Sequence, residues 1–201
     1  MSRMGAFETF LVNRLKRRSN ERLFRVIRSN LDLPFGSECL EIGCGTGDMA
    51  VRLFDAYRPR RYVATDYDSA QVTRARTDIA RHNGGHLPET LELRTADALR
   101  LPFPDESFDV VFAFAVFHHV EDHFWRYELV PRAVSEVHRV LRPGGRIVYE
   151  EWVHKPRIRD DLLRMGFRVD RWHRGNLGLS ELTIATKTPP RTANKPPNSG
   201  Q

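Results

Sequence analysis

A short buried-strand pattern that runs directly into a glycine-rich turn is the feature that most restricts the fold of this 201-residue chain. The apolar run Cys39–Ile42 is followed by three glycines at alternate positions, Gly43, Gly45 and Gly47, and helical spacing then extends over 49–57. Glycine lets the backbone turn tightly and approach a ligand closely. The turn alone is weak evidence for a binding site, because a glycine-rich turn after a strand can simply be a turn.

The rest of the chain alternates between strand and helix patterns. Residues 5–30 have helical spacing, which we interpret as two helices with a break at Ser19-Asn20. Further strands are predicted at 61–65, 91–95, 110–115, 146–150, 167–172 and 182–186, and helices at 69–82, 122–141 and 158–165. This alternation predicts an α/β fold, a doubly wound, Rossmann-like and mostly parallel sheet of seven strands with helices on both faces.

Charge is unevenly distributed along the chain. Residues 1–30 hold eight basic and two acidic residues, whereas 31–187 hold 22 basic and 24 acidic residues, so the net charge of +6 belongs to the ends. A globally basic surface for nucleic acid is therefore not expected. We divide the chain into N-terminal basic helices (1–35), one α/β domain (36–187) and a proline-rich tail (188–201) that we expect to be disordered.

Several classes of protein are excluded by composition. The longest unbroken apolar run, at 110–117, is too short to span a bilayer, and no apolar segment typical of a secretory signal precedes the N-terminal basic cluster. Cys39 and Cys44 are the two cysteines, and they lie far from any other group of metal ligands. We expect a soluble cytoplasmic protein without a metal site.

Acidic residues surround the glycine turn. Glu41 precedes it, Asp48 follows it, and Asp66 ends the next strand about 20 residues on, where an acid binds ribose hydroxyls in doubly wound folds. A pyrophosphate at this turn would be repelled by two carboxylates. S-adenosyl-L-methionine has no phosphate and carries a net positive charge, so the acids favour it over NAD.

Five segments, in order, resemble motifs of the class I S-adenosylmethionine-dependent methyltransferases. They are EIGCGTG at 41–47, ATD at 64–66, ADALRLPF at 96–103, FDVV with FHHV at 108–111 and 117–120, and LRPGG at 141–145. The pattern is most similar to the ubiquinone/menaquinone C-methyltransferase group (methyltransferase type 11), over roughly 38–187. The resemblance implies that 36–187 is a methyltransferase domain with S-adenosyl-L-methionine as cofactor and S-adenosyl-L-homocysteine as product.

The resemblance also implies cofactor-binding roles. The glycine turn would pass under the methionine part, Glu41 would hold the ammonium group, and Asp66 would accept from the ribose hydroxyls. Tyr67 would pack on the adenine, and Asp97 would accept from its amino group. The full set of implied cofactor residues is Glu41, Gly43, Cys44, Gly45, Gly47, Asp66, Tyr67, Asp97, Ala98, Ala113 and Phe114, the last two at the mouth where the methyl group is transferred.

Methyl transfer needs alignment of the acceptor and exclusion of water, and it needs a base only if the acceptor loses a proton. Candidate bases near the predicted strand ends are His118, His119, Glu150, Glu151 and His154. We favour His118 or Glu150. Consecutive residues of a strand face opposite ways, so at most one of Glu150 and Glu151 points into the site.

The segment after the fourth predicted strand narrows the acceptor. Residues 113–116 lack the Asn/Asp-Pro-Pro-aromatic sequence expected for methylation of nucleobase amino groups, which argues against nucleic acid as the acceptor. The aromatic segment 123–127 could pack in the core or bind the acceptor, and the short connection 152–157 predicts an open site. The predicted function is methyl transfer to a small-molecule or lipid-like acceptor. The alternatives are an RNA or protein methyltransferase and a non-catalytic S-adenosylmethionine-binding module.

The N-terminal segment 7–28 combines a basic cluster with an apolar face. It can form a lid over the site, with its basic face in solvent, or an interfacial helix that contacts anionic membranes. The second interpretation would add peripheral membrane contact to a cytoplasmic location. The basic residues are Arg14, Lys16, Arg17, Arg18, Arg22, Arg25 and Arg28, and the apolar ones Phe7, Phe10, Leu11 and Leu15.

Overall fold

The computed structural model describes residues 6–123, 125–174 and 179–189, with side chains described from residue 18 onward. The strands are β1 (Glu38–Ile42), β2 (Arg61–Asp66), β3 (Leu91–Thr95), β4 (Phe108–Phe114), β5 (Leu141–Glu151), β6 (Phe167–Arg174) and β7 (Glu181–Lys187). The helices are α1 (Ala6–Asn30), α2 (Asp48–Tyr57), α3 (Ser69–His82), α4 (Val130–Val140) and α5 (Lys155–Arg164), with a short 3₁₀ helix at Phe117–His119.

All seven strands form one sheet, in the order β3-β2-β1-β4-β5-β7-β6. The pairs from β3 to β5 are parallel, and β7 runs antiparallel to both β5 and β6. The chain reverses its direction of winding between β1 and β4, which makes a crevice at the carboxyl ends of these strands. The predicted fold class is confirmed.

Two apolar layers sandwich the sheet because alternate strand residues face opposite sides. In β4, Val111 and Ala113 join a core with α4 and α5, whereas Val110 and Phe112 join a second core with α1, α2 and α3. Strands covered on both faces are apolar almost throughout, which is why the sequence shows continuous apolar runs instead of alternation. The sheet is thereby fixed as a platform for the loops at its edge.

Residues 6–30 form one continuous helix, so the predicted break at Ser19-Asn20 is wrong. Asn20 does not cap a new helix, because its side-chain amide donates to the Asp48 carboxylate on α2 at 2.9 Å. Serine and asparagine are only weakly unfavourable inside a helix, and packing of Ile27 and Leu31 against the domain outweighs that preference.

The predicted helix at 122–141 is wrong in its first half, since α4 begins at Val130. Pro131 lies in the first turn of α4, where a missing N–H costs nothing, and it disfavours helix before it. Glu121 replaces the missing turn, because its Oε1 accepts from three consecutive backbone N–H groups that end at Val130. The connection before α4 is therefore an irregular loop beside the end of β4.

Three expectations from composition concern the C-terminal tail, membrane-spanning segments and metal sites. The predicted tail at 188–201 lies, apart from Thr188 and Pro189, outside the described residues. In the described ranges, no helix is both long enough and apolar enough to cross a membrane. The same ranges contain no group of histidine, cysteine and carboxylate side chains that could hold a metal ion.

Candidate active site

A cleft of about 1090 Å³ opens at the carboxyl ends of the central strands. It lies where the winding reverses between β1 and β4, which is the position at which open α/β sheets bind their ligands. The cleft brings together nine of the eleven cofactor residues expected from the sequence. They are Glu41, Gly43, Cys44, Gly45, Asp66, Tyr67, Asp97, Ala98 and Phe114.

The other two expected residues lie behind the wall of the cleft. Ala113 is fully buried in β4 and packs in the core. Gly47 precedes α2 with φ +83°, and a Cβ there would lie 2.9 Å from the Cδ1 atom of Ile79. Both residues therefore shape the site through packing.

The glycine turn is shaped for two different contacts. A Cβ at Gly43, where φ is +70°, would lie 2.5 Å from the Cγ2 atom of Val116, so this glycine lets the segment after β4 approach the turn. A Cβ at Gly45 would meet no atom within 4 Å, because this residue borders the open cleft. The turn therefore leaves room for a ligand along its backbone.

Glu41 is a carboxyl group held in the wall of the cleft with only 1% of its surface exposed. Burial raises its pKa to about 7, opposed by a hydrogen bond from the Tyr62 hydroxyl and aided by the charges of Asp48 and Asp66. The Tyr62 hydroxyl donates to Glu41 Oε2 at 2.8 Å. A cation in the cleft would favour the charged carboxylate, since opposite charges attract strongly at a buried site.

Backbone N–H groups orient Asp66 and Asp97, from the glycine turn and its own loop for Asp66 and from its own loop for Asp97. Asp66 Oδ2 accepts from the backbone N–H of Gly45 at 2.8 Å, and Oδ1 accepts from that of Asp68 at 3.0 Å. Asp97 Oδ1 accepts from the backbone N–H of Leu99 at 2.9 Å. A carboxylate has about four acceptor positions, so both groups keep capacity for donors of a ligand.

Asp48 contributes less negative charge to the turn than its place in the sequence predicts. It pairs with Arg52 at 3.1 Å and accepts from Asn20 at 2.9 Å. The acidic character of the turn therefore depends mainly on Glu41 and Asp66. The contact with Asn20 also places α1 at the cleft, where Ser19, Asn20 and Leu23 form part of its wall.

Gln71 is a cleft residue that sequence reasoning missed. Its amide oxygen Oε1 is buried and accepts no hydrogen bond from the described residues. An unsatisfied buried acceptor costs about 1–3 kcal/mol, so a ligand donor at this point would be favoured. A polar residue at the edge of the apolar face of α3, which is formed by Val72, Ala75 and Ile79, is the signal that could have identified it.

The opposite end of the cleft is formed where β4 and β5 end and by the segments that follow them. Glu150 lines the cleft and accepts from the Trp152 indole at 3.3 Å, and burial raises its pKa. Glu151 is fully buried and binds His118, whose Nδ1 lies 2.7 Å from its Oε2. The two glutamates do face opposite ways, as predicted. His118 rests on Glu151 and does not line the cleft, whereas His119 does.

A family comparison decides what kind of domain surrounds this cleft. A sequence profile described as a methyltransferase domain matches residues 40–149, which is more than half of the chain. The chain belongs to this methyltransferase family. The matched range includes the glycine turn and the loops that follow β2, β3 and β4.

The names of curated relatives of this methyltransferase-family chain refer to several types of acceptor. It is 35% identical over 126 residues to a 27-O-demethylrifamycin SV methyltransferase of Amycolatopsis mediterranei, which covers 63% of this chain and 42% of the relative. A ubiquinone/menaquinone biosynthesis C-methyltransferase of Paracoccus denitrificans is 32% identical, with 60% and 44% covered. A fatty-acid O-methyltransferase of Mycolicibacterium smegmatis is 37% identical, with 58% and 37% covered. The chain thus spans less than half the length of these relatives.

Solved structures give the same fold. A SAM-dependent methyltransferase from Aquifex aeolicus superposes with a TM-score of 0.67 at 17% identity, over 84% of this chain and 89% of that one. Identity at this level supports the shared fold alone. The resemblance to class I S-adenosylmethionine-dependent methyltransferases, inferred from the five motifs, is confirmed by the family match and the relatives.

The aromatic segment of this methyltransferase-family chain lies apart from the cleft wall. The His123 and Trp125 rings stack at 4.8 Å, and the Tyr127 hydroxyl donates to Asp161 at 2.8 Å, beside α5. None of these three side chains lines the cleft, and Phe124 lies outside the described residues. Aromatic residues that do line the cleft include Tyr67, Phe114 and Trp152.

Proposed function

We propose that this protein is an S-adenosyl-L-methionine-dependent methyltransferase that methylates a small-molecule or lipid-like acceptor. One observation carries the proposal. A single cleft joins the carboxylates near the carboxyl ends of β1, β2 and β3 to a second, partly apolar end formed where β4 and β5 end and by the segments that follow them. Such an arrangement suits a cation-bearing nucleoside at one end and an acceptor at the other.

The residues present fit this cofactor. Glu41 would hold its ammonium group, Asp66 its ribose hydroxyls and Asp97 its adenine amino group. The orphaned oxygen of Gln71 and the open space beside Gly45 agree with a ligand that carries donors along this wall. When bound, the cofactor supplies a methyl group activated by a sulfonium.

The acceptor end is lined by both apolar and acidic side chains. Leu23, Phe114, Val116, Val120 and Trp152 present apolar surface to the cleft. Pockets of this kind bind mostly apolar molecules that are oriented by a few polar groups. The names of the relatives, which include rifamycin and fatty-acid methyltransferases, support the same acceptor class.

Turnover with labelled cofactor tests the proposal. The full chain would be incubated with radiolabelled S-adenosyl-L-methionine and separate extracts of small molecules and lipids, RNA, and protein. We expect label in the organic fraction, lost in Asp66→Ala and retained in Asp78→Ala, a change on the exposed side of α3. Label in RNA or protein instead would support those alternatives. Binding of cofactor without label in any fraction would indicate a non-catalytic module.

We also propose that 7–28 contacts anionic membranes while α1 forms a wall of the site. In the described part of α1, Ile27 is buried against the domain, whereas Arg18, Arg22 and Arg25 are exposed. Each basic residue near an anionic surface contributes about 1 kcal/mol, so several together suffice for reversible contact. The side chains of 6–17 lie outside the described residues.

Vesicle sedimentation separates membrane contact from a wall role alone. We expect binding to anionic and not to neutral vesicles, weakened by salt and by Arg18→Glu combined with Arg22→Glu. Arg74→Glu combined with Arg81→Glu, at two exposed sites on α3, serves as the charge-matched control. If the wild-type chain does not sediment with anionic vesicles at low salt, membrane contact is excluded.

A further inference from the structure

Glu151 is a fully buried carboxylate at the end of β5. Among the described residues, the Glu151 carboxylate has one ion-pair partner within 4.0 Å, which is the His118 ring. Burying a carboxylate costs free energy unless the group is paired and hydrogen-bonded. Its position beside the cleft therefore suggests a functional role.

Glu151 organises the 3₁₀ helix that follows β4. Its Oε1 accepts from the backbone N–H of Phe117 at 2.6 Å, and its Oε2 lies 2.7 Å from Nδ1 of His118. These two contacts fix the start of the helix and the orientation of the His118 ring. The backbone just before is also constrained, because Ala115 has φ +55° and donates to the Glu150 carbonyl at 2.8 Å.

His119 is carried by the same 3₁₀ helix and lines the cleft. Its ring lies 4.1 Å from that of His118, centroid to centroid, at an angle of 39°. Glu150 and Trp152 line the cleft at the same end. The three groups thus run from the buried Glu151 carboxylate through the half-buried His118 ring to the His119 ring in the wall of the acceptor end.

We propose that Glu151 is a positioning residue. Through its contacts with His118 and with the 3₁₀ helix it orients the His119 ring, and this imidazole takes a proton from a hydroxyl-bearing acceptor. The inference rests on the proposed methyl transfer and specifies its acceptor class. His119 would be the catalytic residue, because it alone of the three lines the cleft.

The proton transfer balances with the methyl transfer. The acceptor oxygen gives its proton to a ring nitrogen of His119 and forms a bond to the methyl carbon. The bond between that carbon and the sulfonium breaks, and sulfur keeps the electron pair, which leaves S-adenosyl-L-homocysteine. The imidazolium of His119 then releases its proton to water.

The charges around the two histidines agree with these roles. The hydrogen bond to Glu151 raises the pKa of His118, with burial opposing it and the charges of Glu151 and Glu150 adding to it. Burial lowers the pKa of His119, and the charge on His118 lowers it further, while Glu151 and Asp66 oppose both effects. The lowered pKa favours the neutral imidazole, which is the form that can accept a proton.

Nuclear magnetic resonance titration of the histidine rings tests the coupling without any methyl transfer. In Glu151→Gln, we expect the pKa of His118 to fall. In His118→Gln, we expect the pKa of His119 to rise, because a neighbouring positive charge is lost. Asp161→Asn, which removes another buried carboxylate that is bound to Tyr127, should change neither.

Matched probes test the acceptor class in protein saturated with S-adenosyl-L-homocysteine. We expect 4-pentylphenol to shift the His119 ring signals and pentylbenzene, which lacks the hydroxyl, to leave them in place. Equal effects of the two probes, or no effect of either, would overturn the hydroxyl assignment.

The outcomes separate this inference from the proposed function. If S-adenosyl-L-homocysteine binds but the two histidines titrate independently, the positioning role is wrong and the methyltransferase assignment stands. If the cofactor product does not bind, the methyltransferase assignment fails first. Should Glu151→Gln fail to fold, His118→Gln still tests the link from His118 to His119, and an unchanged pKa of His119 in that variant would overturn the proposal.

Discussion

Asp66 joins two parts of the site through one carboxylate, since it holds the backbone of Gly45 and has acceptor capacity left for a ligand. In Asp66→Ala, ribose hydroxyls would lose charge-assisted bonds of about 1.5–3 kcal/mol each, so affinity for S-adenosyl-L-homocysteine should fall by about tenfold or more. Calorimetric titration measures the change, with Asp78→Ala as the control. An unchanged dissociation constant in Asp66→Ala would mean that this carboxylate does not contact the nucleoside.

Glu41 should make the stability of the ligand-free protein depend on pH. Its pKa in the folded protein is about 7, raised above the ordinary 4.5 by burial. The folded state therefore holds a proton that the unfolded chain releases, and stability is lost as pH rises through about 7. The shift corresponds to about 3 kcal/mol above that pH.

Glu41→Gln removes this pH dependence. At pH 8 the variant should unfold at higher denaturant concentration than the wild type, and near pH 4 the two should agree. Its affinity for S-adenosyl-L-homocysteine should fall at pH 8, because the ammonium group loses a carboxylate. Glu92→Gln is the control of opposite sign, since Arg61 lowers the pKa of Glu92. Equal pH profiles of wild type and Glu41→Gln would contradict the account.

The role of a residue that belongs to a motif could be predicted from the sequence. The role of a residue whose direction depends on the rotation of a short helix could not. The acids Glu41, Asp66 and Asp97 stand at strand ends, so their place in the cleft follows from the strand pattern. The choice between His118 and His119 depends on the rotation of a single 3₁₀ turn, which Glu151 fixes through two hydrogen bonds. No periodicity in the sequence reports such a contact.

At the scale of elements, α1 is fastened to the site through Asn20 and Asp48. Asn20→Ala should lower the free energy of unfolding by about 1 kcal/mol and weaken cofactor-product binding, because one wall of the cleft loses its hydrogen bond. Thermal unfolding and calorimetry measure both effects. Ser29→Ala is the matched control, since the hydroxyl of this exposed serine donates to the Arg25 carbonyl of the same helix. If the two variants behave alike, α1 is not held at the cleft by this contact.

Gly43, in the turn between β1 and α2, can be compared with a glycine of nearly the same φ elsewhere in the chain. Gly43 and Gly84 have φ of +70° and +73°, but a Cβ would clash with Val116 only at Gly43. Gly43→Ala should therefore lower the melting temperature more than Gly84→Ala and should also impair binding of S-adenosyl-L-homocysteine. Equal losses would show that strain alone, and not the approach of the segment after β4, determines the need for glycine.

For the whole molecule, the order of strands and helices could be predicted because buried strands and amphipathic helices leave distinct patterns. The errors lie where tertiary contacts override local signals. Packing carries α1 through Ser19-Asn20, and Glu121 caps α4 from an irregular loop that the sequence showed as helix. The same contacts build the walls of the cleft, so the parts hardest to predict are those that determine which acceptor enters.

The central claim is that the cleft binds S-adenosyl-L-methionine and its product and not a dinucleotide. Calorimetric titration of the full chain with S-adenosyl-L-homocysteine and with NAD tests it most directly. The account predicts saturable 1:1 binding of S-adenosyl-L-homocysteine and weaker or undetectable binding of NAD, because Glu41 and Asp66 favour a cation and repel a pyrophosphate. Tighter binding of NAD, or no binding of S-adenosyl-L-homocysteine, would contradict it.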